Sequence, residues 1–412
     1  MSASSTSEAG VIIVGAGQAG SEVATSLRQH GYGGTITIIG DECYLPYRRP
    51  PLSKGFLFGE DTLESLLIRN EAMYAKLGID CRLGNGVVAI DREAHTVELQ
   101  DGARLGYAWL VLATGGAPRR VSLPGAERGN VHYVRSIPDI LALQAAFRPG
   151  QRLVVIGGGY IGLEAAAVGI KKGLTVTVLE ALPRVLARVA APEISAFYEQ
   201  AHRRRGVDVR TGVTIQSLEG RERVDAVVLA DGSRIAADVL IVGIGLVPGT
   251  GLAERAGLEV NNGIVVDRFA RTSDPDILAA GDCANHENEF LGRSVRLESV
   301  PSALDQARVA ASTIAGKSLS SAAVPWFWSD QYNLKLQMVG LSQGYEEFVL
   351  RGDPATESFS AFYLRDGVII SVDAINRPQD FALAKRLVAG RVRASATRLS
   401  DEALALKDLL AG

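Results

Sequence analysis

The chain twice runs through the same succession of apolar and polar stretches. VIIV at residues 11–14 is an unbroken apolar, β-branched run, and LVVI at 153–156 repeats it 142 residues later. A run of that kind suits a strand buried on both faces of a parallel sheet. Each run ends in Gly-x-Gly-x-x-Gly and is followed by a stretch that reads as a helix, SEVATSLRQHGYGG in the first copy and YIGLEAAAVGIKKG in the second. Both helices close on basic residues and a glycine; in the first, Arg28 and His30 stand in the last turn and Gly31 caps it. A further strand follows in each copy, TITIIG and LTVTVLE, with an acid at its end. Strand, glycine turn, helix, strand and acid in that order predict a dinucleotide-binding unit, written twice.

Each glycine has a task. Gly15 permits the tight turn, Gly17 lets the backbone approach a pyrophosphate, and Gly20 allows helix and strand to pack closely. Gly157, Gly159 and Gly162 repeat the set. The helix that follows points unpaired N–H groups and the positive end of its dipole at the phosphates. Asp41 and Glu42, after the second strand, are acids able to accept hydrogen bonds from an adenosine ribose. Glu180, eighteen residues past Gly162, would accept from both ribose hydroxyls of NAD and repel the 2′-phosphate of NADP; the plainer alternative is an exposed strand-end glutamate. Arg184 and Arg188 read either as contacts to adenosine or pyrophosphate, or as a solvated basic helix face. Two fingerprints imply two dinucleotides, and NADH opposite FAD is the commonest pairing of one hydride carrier with another.

At 412 residues the chain is too long for one core, and two or three domains are expected. Hydrophobic residues at 47% and charged residues at 22% are ordinary for a soluble globular protein. No apolar stretch reaches the length of a bilayer span, and MSASSTSEAG lacks the apolar core of a secretory signal, so a cytoplasmic protein is the default expectation. A net charge of −3 argues against a general nucleic-acid binder. Cys43, Cys81 and Cys283 lie far apart and form no CxxC, which predicts buried or inert thiols and no metal site.

Three further segments look like anchors for a permanently bound flavin. WLVLATGG, residues 109–116, is a strand running into a small-residue turn. TSDPDILAAGDCA, residues 272–284, is a strand ending in Gly281-Asp282, where a carboxylate would reach ribityl hydroxyls. GDECYLPYRRPPLSKGFL, residues 40–57, reads as a rigid proline-rich loop whose basic side chains could reach phosphates.

PYRRPPLSK, GGGYIGLE, TSDPDILAAGDCA and WFWSDQYNLKLQMVG together resemble the FAD- and NADH-dependent ferredoxin reductases of oxygenase systems, over about residues 10–405. The resemblance implies an α/β fold of two Rossmann-like dinucleotide-binding domains, glutathione-reductase-like, with a C-terminal α+β domain. FAD would be bound by 1–117 and 248–322, NADH by 118–247, and 323–412 would be the C-terminal interface domain. Position by position, Arg49 and Pro50 would lie along the FAD, with Lys54 close to flavin N5 and paired to Glu164. Val87 would contact adenine, Ala113 and Thr114 would border the isoalloxazine, Asp282 would bind the ribityl chain, and Trp328 would stand beside the ring. Ile161 in GGGYIGLE, and Gly245 in the returning strand DVLIVGIGLVP, join Glu180 and Arg188 as candidates for the NADH site. Two positions depart from the family's usual pattern: Arg48 and Pro301, the second bearing on helix geometry near the flavin.

Electrons would pass from NADH through FAD to a 2Fe–2S ferredoxin that feeds a haem-thiolate monooxygenase or a Rieske-type dioxygenase. Two rivals share the fold: NADH peroxidases and thiol-disulfide reductases, for which Cys43 is the candidate thiol, and redox-signalling flavoproteins. From Phe381 to Ser400 the chain carries Lys385, Arg386, Arg391, Arg393 and Arg398 and no acid. That run reads as a docking face for an acidic ferredoxin or as a solvated helix face.

Overall fold

The computed structural model describes residues 10–410, so the polar N-terminal stretch read above lies almost wholly outside the described residues. Contacts divide the chain into two compact units. The first holds 10–48, Leu63–Ala117 and Val247–Pro325; the second holds Arg49–Thr62, Pro118–Leu246 and 326–410.

In the first unit a parallel sheet runs in the order Ile79–Arg82, Ile36–Ile39, Gly10–Val14, Arg104–Leu112, Ile277–Ala279. Its central strand is buried throughout. Val11 and Ile13 face one core, shared with helices Gln18–Gln29 and Val300–Ile314, while Ile12 and Val14 face a second core on the other side. That two-sided burial is why the strand is apolar without alternation. Pro301 sits in the first turn of Val300–Ile314, where a missing N–H costs nothing, and Ser299 caps the helix by accepting from the Ser302 N–H. The departure at 301 therefore leaves the helix regular.

The second unit repeats the plan. Its parallel sheet runs Asp208–Arg210, Thr175–Leu179, Arg152–Ile156, Val239–Val242, Val131–Tyr133. The three-stranded antiparallel meander Ile215–Glu219, Ala226–Leu229, Arg234–Ala236 follows in the same unit. The C-terminal part is a five-stranded antiparallel sheet, ordered Trp326–Gln331, Leu334–Gly340, Val368–Ile375, Ser358–Arg365, Glu347–Asp353, with helix Pro378–Ala389 packed against it. Two Rossmann-like sheets and an α+β C-terminal part are the architecture expected. Among the described residues no helix is long and apolar enough to cross a membrane.

The proline-rich stretch is not a plain loop. Pro50–Ser53 forms a 3₁₀ turn and Gly55–Phe58 a helical turn. Arg49–Thr62 packs with the second unit: the Gln144 side chain donates to the Phe56 carbonyl, and Lys171 pairs with Glu60 at 2.9 Å.

Two buried imidazoles give the fold a pH signature. Burial pushes His202 and His286 down to about 4. Each stays neutral when folded yet takes up a proton near pH 6.5 once unfolded. Their contribution is therefore intact above pH 6.5 and declines as pH falls toward 4, by roughly 2 kcal/mol each at pH 5. Asp373 works in the opposite sense, its carboxyl being pushed up to about 7 by burial. A difference measurement isolates the imidazole: between pH 7.5 and 5, His286→Gln should gain roughly 2 kcal/mol on the unmodified chain in denaturant titrations. A pH-independent difference would mean that folded His286 accepts the proton.

Candidate dinucleotide sites and the Lys54–Glu164 pair

In both fingerprints the glycines divide into those the protein needs and one it leaves open. Gly15 has φ +122°, and a Cβ there would lie 2.1 Å from the Ala113 carbonyl oxygen; at Gly20 it would lie 2.1 Å from the Gly15 oxygen. Gly157 and Gly162 meet the Gly243 and Gly157 carbonyls in the same way, at 2.3 and 2.1 Å. By contrast, a Cβ on Gly17 would have no neighbour within 4 Å, and one on Gly159 would only touch the Gly243 oxygen at 4.0 Å. Gly17 and Gly159 are also the N-caps of their helices, and neither helix has a side-chain cap. Open backbone and uncapped N–H groups suit a pyrophosphate, so both turns fit the groups expected of them.

Around the first turn, Ala113 is buried at the end of Arg104–Leu112 and Thr114 donates to the Gly249 carbonyl at 2.5 Å. Gly281, at φ +91°, comes within 3.1 Å (Cβ position) of the Ala19 side chain. Its amide is held by the buried Gln306 side chain at 3.0 Å, which sets Asp282 near the start of the first fingerprint's helix. Gln306 was not foreseen from sequence. Asp41 is exposed at the strand end, and Val87 is half-buried in Val87–Asp91. Glu42 instead accepts from the Tyr47 hydroxyl at 2.6 Å.

Around the second turn, Glu180 is fixed across the fingerprint. Its Oε2 accepts from the Gly158 N–H at 2.6 Å and its Oε1 from the Leu182 N–H at 2.8 Å. Ile161, at the start of helix Tyr160–Lys171, is a large apolar side chain left 43% exposed beside the second glycine turn. Gly245 has φ +110°, and the exposed Arg188 guanidinium comes to 3.9 Å from its Cβ position. Residues 181–190 are turns rather than the helix considered for them. Arg184 is neither a solvated face nor a free anion ligand: it donates to the Ala190 and Ala187 carbonyls at 2.7 and 3.0 Å and to the Ser195 hydroxyl, holding the turn.

The helix that begins at the second turn also carries Glu164, which is 2% exposed. Lys54 Nζ meets Glu164 Oε2 at 2.8 Å and the Pro50 carbonyl at 3.3 Å. Ser53 donates to the same Oε2 at 2.5 Å, and Ser329 donates to Oε1 at 2.6 Å. The expected pair thus exists, with two serines that sequence reasoning missed; Ser329 stands next to Trp328 in WFWSDQ, and that adjacency was the available signal. Trp328 is half-buried with its ring 5.6 Å from Trp326. Arg49 Nη1 donates to the Arg135 carbonyl at 2.6 Å, just before the Pro50 turn.

The thiols are unpaired: Cys43 is exposed, Cys81 intermediate and Cys283 buried. Of the two alternatives expected, buried or inert, Cys43 departs from the first: it is exposed in the turn after Asp41. Burial, then Asp80 and Glu71, push Cys81 up to about 11, which keeps it a poor nucleophile. The basic run is exposed at all five positions, but only Lys385 and Arg386 lie on Pro378–Ala389; Arg391 follows it in a turn, Arg393 forms an isolated β-bridge with Val368, and Arg398 lies on the short helix Ala396–Ser400.

The pattern of the family described as pyridine nucleotide-disulphide oxidoreductase matches residues 9–307, and that described as reductase C-terminal matches residues 326–410. The chain is 46% identical over 407 residues to putidaredoxin reductase CamA of Pseudomonas putida, covering 97% of this chain and 96% of that one. It is 49% identical over 381 residues to a ferredoxin–NAD(P)(+) reductase of a Sphingomonas species, covering 92% of each. The crystal structure of the covalent putidaredoxin reductase–putidaredoxin complex superposes with a TM-score of 0.95 at 45% identity, covering 98% of this chain and 99% of that one. With its two glycine turns and its antiparallel C-terminal sheet, the chain belongs to the pyridine nucleotide-disulphide oxidoreductase family.

Proposed function

We propose that the chain is an NADH-dependent ferredoxin reductase, passing electrons through a tightly held FAD to a 2Fe–2S ferredoxin that serves an oxygenase. The observation that carries this is the duplicated turn: two uncapped helix starts, each with its middle glycine open. Gly15, Gly17, Gly20, Asp41, Val87, Ala113, Thr114 and Asp282 hold FAD, with Arg49, Pro50 and Trp328 along it. Gly157, Gly159, Ile161, Gly162, Glu180, Arg188 and Gly245 hold NADH. When bound, the flavin supplies the step from two-electron hydride chemistry to single-electron release. Lys54 supplies a fixed positive charge where negative charge develops, and Glu164 orients it. Ser53 and Ser329 each donate to the carboxylate, so that both of its oxygens are tied to fixed donors beside Lys54. The direct test is NADH-driven reduction of a panel of purified 2Fe–2S ferredoxins, with FAD content measured after gel filtration. Loss of flavin on the column, or no ferredoxin reduced faster than in the absence of protein, would sink the assignment.

We place the docking face on the exposed basic run. Arg393 donates to the Asp366 carbonyl at 2.7 Å, and Lys385 lies over the Trp326 ring at 5.1 Å, so both cations are held at defined places. An acidic ferredoxin would be steered there. Reversing Arg391 and Arg393 to Glu should raise the ferredoxin KM severalfold at low ionic strength. The effect should fade at physiological salt, where the Debye length is about 8 Å. Ferricyanide reduction should barely change. An unaltered ferredoxin KM at low salt would put the docking site elsewhere.

A further inference from the structure

Behind Glu164 and Ser329 the polar contacts continue through Gln331, His202 and Tyr332, side chains that the electron-transfer reading does not use. Ser329 Oγ meets Glu164 Oε1 at 2.6 Å, and Gln331 Nε2 meets Ser329 Oγ at 3.3 Å. His202 Nε2 meets Gln331 Oε1 at 2.8 Å, and the Tyr332 hydroxyl meets His202 Nδ1 at 2.9 Å. Glu164, Ser329, Gln331 and His202 are each at most 2% exposed. Polar groups buried to that degree must satisfy one another, and here the valences leave one solution.

The carboxylate can only accept, so the Ser329 hydroxyl donates to it. Ser329 is then free to accept from the Gln331 amide. The Gln331 oxygen accepts from His202, which fixes the proton on Nε2 and leaves Nδ1 to accept from the Tyr332 hydroxyl. Every donor therefore points the same way, toward Glu164, and the dipoles reinforce along the row. Burial keeps the imidazole neutral, as this arrangement requires. A second observation marks the far end. Tyr332 has φ +56° in the tight turn between Trp326–Gln331 and Leu334–Gly340, a conformation disfavoured for a bulky residue where Gly or Asn would be easier. Its ring lies under the Arg205 guanidinium at 4.7 Å, and Arg205 pairs with Glu357 at 3.0 Å. The strained position is kept by a residue that carries a hydroxyl to the row and a ring to the surface cation.

We propose that Ser329, Gln331, His202 and Tyr332 are positioning residues for electron entry: a one-way hydrogen-bond row, fed from the C-terminal domain, that holds the Glu164 carboxylate and through it the Lys54 ammonium. This rests on the role given above to Lys54 and Glu164.

The test uses the FAD-loaded protein and reads the row and its effect separately. In ¹⁵N-histidine spectra at neutral pH, His202, assigned with a His202→Phe variant, should be the Nε2-protonated tautomer. Gln331→Glu keeps the shape of the residue but reverses its polarity, so that it accepts from both His202 and Ser329 and draws the serine hydrogen away from Glu164. It should slow flavin reduction by NADH about tenfold and shift the flavin midpoint potential. Ser329→Ala, which introduces no buried charge, should do the same in a folded protein, and the double variant should be no worse than either single one. An Nδ1-protonated His202, or additive losses with an unmoved potential, would overturn the inference. So would a slowed Lys54→Ala variant beside an unaffected Ser329→Ala, which would leave the Lys54 reading standing. A wild-type rate in Lys54→Ala itself would remove that earlier reading and this role with it.

Discussion

Replacing Lys54 with alanine is expected to slow reduction of the bound flavin by NADH about 10²-fold while FAD is retained, the scale of losing one preorganised charge. The geometry explains why the charge is preorganised. Lys54 has its ammonium against Glu164 at 2.8 Å and the Pro50 carbonyl at 3.3 Å, and the turn Pro50–Ser53 fixes the backbone that carries it. The same geometry creates a confounding effect. Glu164 is 2% exposed, and removing its partner leaves a buried carboxylate uncompensated, which costs about 3 kcal/mol or more in such pairs. A slow variant could therefore be slow because it is loosened. Lys54→Met combined with Glu164→Gln separates the two, since replacing both partners is close to neutral for stability. The double variant should recover its melting temperature and remain slow. Stopped-flow reduction at the unmodified rate in the Lys54 variants would show that the charge has no part in hydride transfer.

The second large effect concerns the choice of nucleotide. NADH should be preferred over NADPH by roughly 2–4 kcal/mol, the size of a like-charge clash at a desolvated contact. Both Glu180 oxygens are tied to the backbone, at Gly158 and Leu182, so the carboxylate cannot swing aside to admit a 2′-phosphate. Glu180→Ala should relax the preference chiefly through the NADPH KM. Because Glu180 also holds the Gly158 amide, the NADH KM should rise modestly in the same variant, a consequence the sequence alone does not suggest. Equal kcat/KM for the two nucleotides in the unmodified protein would remove Glu180 as the discriminating acid.

What could be read from the sequence was what is local. VIIV and LVVI declare two-sided burial within a few residues, and the glycine spacing, the following helix and the strand-end acid all fall inside one short unit. The turn at Gly281-Asp282 is equally local, a glycine and an acid just past a strand end. What escaped is held by partners far apart in the chain. Ser53 and Ser329 meet at Glu164 from 111 and 165 residues away, and neither stretch signals the other. The turn at 181–190 was open to a helical reading because its basic residues suit a helix end, whereas Arg184 holds a compact turn around Pro183. The basic run looked like one helix face in composition, but Gly390 ends the helix before Arg391 and Arg393. The proline-rich stretch was legible as rigid and not as helical, because its two short turns are set by packing on their own unit rather than by propensity.

The division of labour among the fingerprint glycines has a consequence for how such a chain would look to different kinds of selection. Gly15, Gly20, Gly157 and Gly162 are demanded by the polypeptide itself, because a side chain at any of them would collide with a neighbouring carbonyl. Gly17 and Gly159 are not: their φ angles of −107° and −81° are open to any residue, and a methyl group would meet almost nothing. A screen for folded protein would pass alanine at those two positions without complaint. On the function proposed above, only a screen that asks for the bound dinucleotide should reject it, so the fold itself places no demand on these two residues.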